Sequence, residues 1–116
     1  MKTNIFGNLV EFVQYADGTV VFKLRDIVRA LGLEWNSQYK KTKSDPFKRY
    51  HVFEERFATE DSKTAMSVAI SSEYVQNFLD DIGVNRCPTD VAKIVLKVRE
   101  ELRGKNLAEE ALLHVL

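Results

Sequence analysis

The apolar positions of the chain change period several times, and each change marks an element. Over 9–23 the β-branched and aromatic residues dominate: Leu9, Val10, Phe12, Val13 and Tyr15, then Val20, Val21 and Phe22. Between the two runs lies Asp17-Gly18, the strongest short hairpin signal in the chain, because a primed turn needs positive φ and glycine supplies it at little steric cost. Neither run alternates cleanly, which points to a hairpin covered on both faces. From Leu24 the period becomes helical. Leu24, Ile27, Val28 and Leu31 recur at i, i+3, i+4 and i+7, with Arg25, Asp26 and Arg29 on the other face. Gly32 stands where a left-handed helix end is expected. Asn36 or Ser37 can cap a second helix running to about Ser44, which Asp45-Pro46 then breaks.

A second hairpin is expected from 52–58 and 64–70. In its return strand Met66, Val68 and Ile70 alternate with Ala65, Ser67 and Ala69, so the first three are expected to face the core. The period is helical again at Tyr74, Val75, Phe78, Leu79 and Ile82. It stays so at Val91, Val95, Val98 and Leu102, the seam of a helix over 90–103. The charged residues of that helix, Lys93, Lys97, Arg99, Glu100 and Glu101, are expected mostly outside. Asn106 caps a last short helix, with Glu109 placed for a capping box. The expected fold class is α+β: an N-terminal β-hairpin, a short helix pair, a second β-hairpin, then C-terminal helices. The expected organisation is a single domain over 1–116, with 88–116 as a helical C-terminal arm.

Composition narrows the chemistry. With 116 residues, 45% of them apolar, the chain can bury a core without a metal or disulfide staple. A single cysteine, Cys87, excludes an intrachain disulfide and a multi-cysteine zinc site, and it suits a reducing compartment. No window approaches ~18 apolar residues, so no membrane span is expected. Basic and acidic residues balance at 17 each, yet 36–52 carries Lys40, Lys41, Lys43, Lys48 and Arg49 against Asp45, a local charge of +4.

The glycines form no phosphate-binding pattern, and His51 and His114 have no ligand-spaced partner. Glu60-Asp61 reads as a solvated loop, and Cys87 as a structural thiol. No catalytic residue, metal or cofactor is therefore expected. The candidates for binding a macromolecule are Gln38, Lys40, Lys41, Lys43, Lys48 and Arg49. Two short helices around a glycine invite a helix-turn-helix reading, with Gln38, Lys40, Lys41 and Lys43 turned outward toward a DNA groove. Phe47, Tyr50 and Phe53 interleave with Lys48, Arg49 and His51, as in surfaces that stack bases and hold phosphates. The same residues suit a solvated basic face or a protein-contact surface with its aromatics in the core. Trp35, the only tryptophan, is expected to pack with Leu33 between the two helices. The C-terminal run Leu107, Ala111, Leu112, Leu113, Val115 and Leu116 must either fold back on the body or pair with a second copy as a homodimer.

The order of these features resembles the N-terminal domain family of phage antirepressor proteins. Asp17-Gly18, 22–28 and 31–41 carry the resemblance, above all Leu31-Gly32-Leu33-Glu34-Trp35-Asn36-Ser37-Gln38, and Ile82-Gly83-Val84-Asn85-Arg86 adds a weaker match. It covers roughly 5–103. One departure lies in the second hairpin. The family usually has a glycine pair followed by Gln-Glu-Met there, and this chain has Glu60-Asp61-Ser62-Lys63-Thr64-Ala65-Met66. Many members also carry a further C-terminal domain, whose functions do not transfer. The resemblance implies a phage protein acting in the bacterial host cytoplasm. Its implied action is to bind and inactivate a repressor or other regulatory protein without catalysis. Direct DNA binding through 36–51 is the alternative.

Overall fold

The structure is a computed structural model that describes residues 1–42 and 50–116, and of Lys41 and Thr42 the backbone alone. The fold is α+β. The described strands are β1 (Lys2–Thr3), β2 (Val10–Gln14), β3 (Val20–Lys23), β4 (Phe53–Ala58) and β5 (Thr64–Ser71). They form one antiparallel sheet in the order β1-β2-β3-β5-β4. Gly18 has φ +90° in the β2–β3 turn, as the Asp-Gly pair requires, and the Asp17 carboxylate accepts from the Thr19 N–H at 2.9 Å. Strand β1 lies where the sequence showed only polar residues; it pairs with β2 through Thr3↔Val10.

The helices are α1 (Leu24–Ala30), α2 (Trp35–Thr42), α3 (Val75–Asp80), α4 (Thr89–Leu102) and α5 (Leu107–Leu113). The helical run read from Tyr74 to Ile82 begins as a 3-10 turn, Ser72–Tyr74, and continues as α3. The main core joins Phe12, Phe22 and Ile70 from the sheet to Leu24, Ile27, Val28 and Leu31 from the α1 region, with Val75, Leu79 and Val95 from α3 and α4. Burying one such side chain contributes about 1.5–3 kcal/mol. The opposite sheet face holds a smaller cluster of Val21, Phe57 and Ala69, flanked by Val13 and Tyr15. Coverage on both faces explains why β2 and β3 do not alternate.

The same coverage corrects the reading of β5. Ala69 is buried, whereas Met66 is 50% exposed. Strand β3 reaches only Ala69, Ile70 and Ser71 of β5, so Met66 lies beyond the main core that holds Ile70 and partly buries Val68, while on the other face Phe57, paired with Ala65, still belongs to the smaller cluster. Two charged residues also turn inward against expectation. Asp26 is buried, and Arg99 is only 13% exposed at its side chain. At the C-terminal end, Asn106 Oδ1 accepts from the Glu109 N–H at 3.1 Å, so the expected cap forms. Beyond α5, Thr3 bridges to Val115 and the Leu116 N–H donates to the Lys2 carbonyl at 3.0 Å, while Leu113 and Leu116 keep 75% and 77% of their surface exposed. No helix among the described residues is long and apolar enough to cross a membrane.

Candidate functional site

The chain reverses between α1 and α2 through Gly32, whose φ of +76° suits glycine and little else. The Gly32 and Leu33 N–H groups donate to the Arg29 and Val28 carbonyls, each at 3.0 Å, and close the end of α1. A Cβ at Gly32 would sit 3.5 Å from Val91 Cγ2, so the start of α4 lies directly over the corner. Helix α2 then opens at Trp35, ahead of the expected caps Asn36 and Ser37. Trp35 is half-buried against the core. Its ring lies 5.4 Å from that of Tyr39, one turn on, and the exposed Arg25 places its guanidinium 5.8 Å from the indole centroid. This arginine–aromatic stack joins α1 to α2 at the surface, and nothing in the spacing of Arg25 and Trp35 announced it.

Gln38 corrects the expectation that it points outward: it is 6% exposed. Trp35 fixes the inward side of α2, and Gln38 follows it one turn later on that side. Lys40 lies two residues on, about 200° further round the helix, and is exposed. Lys41 has its backbone in α2, and its side chain lies outside the described residues, as do Lys43, Lys48 and Arg49. Of the interleaved aromatics, Tyr50 is buried and Phe53 is 37% exposed, while Phe47 lies outside the described residues.

Gln38 lines a groove of about 830 Å³ between the α1–α2 corner and the segment leading into α4. Leu33, Glu34 and Ser37 share its wall; Ile82, Arg86 and Val91 belong to the other. Gln38 Oε1 is buried in that wall with no hydrogen-bond partner among the described residues. The opposite wall is held by Arg99. Its guanidinium donates to the Leu79 carbonyl at 2.6 and 3.0 Å and to the Ile82 carbonyl at 3.0 Å, closing the end of α3. Asp80 joins this clamp by accepting from Arg103 at 2.9 Å and from Gln76 at 3.1 Å. Burial acts to raise the Asp80 carboxyl, but the hydrogen bonds from Arg103 and Gln76 and the charges of Arg103 and Arg99 outweigh it and hold the group below the usual range.

A second polar cluster sits under α1. The Asp26 Oδ2 accepts from the Glu11 N–H at 2.9 Å, and Oδ1 accepts from Arg29 at 2.9 Å with Lys23 Nζ at 4.0 Å. Glu11, also buried, meets the N-terminal ammonium of Met1 at 3.2 Å. No group of three or more His, Cys, Asp and Glu side chains suited to a metal occurs among the described residues.

Residues 4–106 match the family model for the P22_AR N-terminal domain. The chain belongs to this family, the N-terminal domain of phage antirepressors. The match contains the whole α1–α2 corner, both groove walls and α4, and it ends before α5. No curated protein and no solved structure matches the chain significantly. Membership in the P22_AR N-terminal family supports a phage regulatory role.

Proposed function

We propose that this P22_AR N-terminal domain is an antirepressor-like regulator that binds and inactivates a repressor or other regulatory protein without catalysis, in the bacterial host cytoplasm. The observation that carries the reading is the Arg25–Trp35–Tyr39 stack at the α1–α2 corner. Arginine, tryptophan and tyrosine are enriched among the few residues that carry most of the binding energy at protein interfaces, where they sit in well-packed, desolvated positions. Here they are already held together on two rigid helices in a domain of an antirepressor family.

Direct DNA binding is the second reading, favoured by the +4 segment and by the exposed Lys40 on α2. In that reading Lys40, Lys41, Lys43, Lys48 and Arg49 would hold phosphates, and Gln38 would need to leave its buried position to reach a base.

Calorimetric titration with the repressor of the phage that encodes the chain tests the proposal. Arg25→Ala is expected to weaken binding at least ~10-fold, the mark of an interface anchor. The Lys40→Ala, Lys41→Ala, Lys43→Ala triple variant is expected to leave affinity within about threefold at moderate salt, where rim charges contribute little. A repressor that binds only through the lysines, or not at all, would overturn the proposal.

A further inference from the structure

We infer that the groove beside Gln38 receives an extended peptide segment of the protein partner, with the Gln38 carboxamide reading its main chain. The inference rests on the protein-binding reading above and assigns a second contact to it. Three observations carry it. Gln38 is 6% exposed, and its Oε1 has no donor among the described residues. A buried carbonyl without a partner is a stability cost that a purely packing residue would not carry, since leucine or methionine fills the same space without it. The side chain lines the groove, and half a turn about χ3 exchanges its oxygen and nitrogen, so it can offer either an acceptor or a donor there. A peptide unit carries the complementary pair, one N–H and one C=O.

Charge favours a peptide over a nucleic acid, and the groove has room for one. About 830 Å³ is within the range of ligand-binding clefts. Among the described lining residues Arg86 is the one basic side chain, too little to hold a phosphate backbone. The far wall is pre-formed: the Arg99 guanidinium ties down the Leu79 and Ile82 carbonyls at its base. The first turn of α4 has no side-chain cap, which leaves backbone N–H groups beside Pro88 for a peptide carbonyl.

The test uses the full chain and a probe made of main chain alone, terminally blocked trialanine, followed by two-dimensional amide NMR. Wild type is expected to show saturable shifts at the Gln38 side-chain NH2 and at the Gly32 and Val91 amides, with a Kd of about 1–10 mM for so small a probe. In Gln38→Met the Gly32 and Val91 shifts should fall at least ~5-fold with the spectrum otherwise retained. Ser37→Trp, which fills the groove from the exposed side of α2, should remove them without touching Gln38. Absence of saturable shifts in wild type, or unchanged shifts in both variants, would overturn the inference. Shifts at these positions from a thymidine oligonucleotide but not from trialanine would overturn it in favour of a nucleic-acid site. The two readings separate cleanly. If the phage repressor binds and trialanine does not, the groove assignment fails alone. If trialanine binds and no repressor does, the proposed function fails.

Discussion

Asp26 and Gln38 are both buried polar side chains, placed on successive helices on either side of Gly32, and they have opposite surroundings. Asp26 accepts from a backbone N–H of β2 and from Arg29, with Lys23 close by. Gln38 has a carbonyl oxygen with no donor among the described residues, beside an open groove. Inside a protein the same low dielectric that strengthens a satisfied polar network makes an orphaned group costly. Asp26 therefore belongs to the structure, locking α1 onto β2. In the proposed reading Gln38 keeps its orphaned oxygen for a peptide group of the partner, at a cost in stability.

The largest loss of stability is expected at Asp26. Asp26→Ala should cost about 3 kcal/mol in urea unfolding, because the Glu11 N–H and two cations lose their shared acceptor. A loss under about 1 kcal/mol would mean that the network is not what holds α1 in place. Next is Arg99→Met, which keeps most of the side-chain length but frees the Leu79 and Ile82 carbonyls. It should cost about 2 kcal/mol and raise hydrogen exchange in the segment after α3. Asn106→Ala removes a cap with no role in either cluster and should cost about 1 kcal/mol, a control for ordinary local effects. Gln38→Met sharpens the contrast: its stability should equal or exceed that of wild type, by up to about 1 kcal/mol, since an orphaned acceptor disappears.

The smallest effect is the response to acid. The Asp80 carboxyl is depressed in the fold, so its contribution is present above the unfolded value near 3.8 and fades as pH falls through the lower folded value. Stability of wild type and Asp80→Asn, measured from pH 5 down to 2, should converge at the acid end. Parallel curves would show that the Arg103 and Gln76 contacts do not bias Asp80 toward its charged form.

These contrasts also show what the sequence revealed. Periodicity located the helices around Ile27 and Val95, and turn chemistry located Gly18 and Gly32, because each signal is local and repeats. The Leu31–Gln38 run carried the family resemblance, and the family model matches 4–106. The inward turn of Asp26, Gln38 and Arg99 was not legible. Residue type assigns polar side chains to the surface, and only the fold shows that a backbone N–H of β2, a groove or the end of α3 waits on the inner side. The stack of Arg25 on Trp35 was hidden for the same reason: it depends on the angle between two helices. On the sheet, alternation correctly turns Val68 and Ile70 to the main core but not Met66, which lies past its edge, and it does not foresee that a second cluster buries Ala69 and Phe57 on the other face.

The most direct test of protein binding against phosphate binding is a fluorescence-anisotropy titration of a labelled mixed-sequence duplex at low and moderate salt. Binding is expected to be no tighter than about 100 μM at low salt, unaltered in the Lys40→Ala, Lys41→Ala, Lys43→Ala triple variant. Tight binding that weakens steeply with salt, and whose salt dependence flattens in that variant, would contradict this expectation and identify the 36–51 segment as a DNA-binding surface.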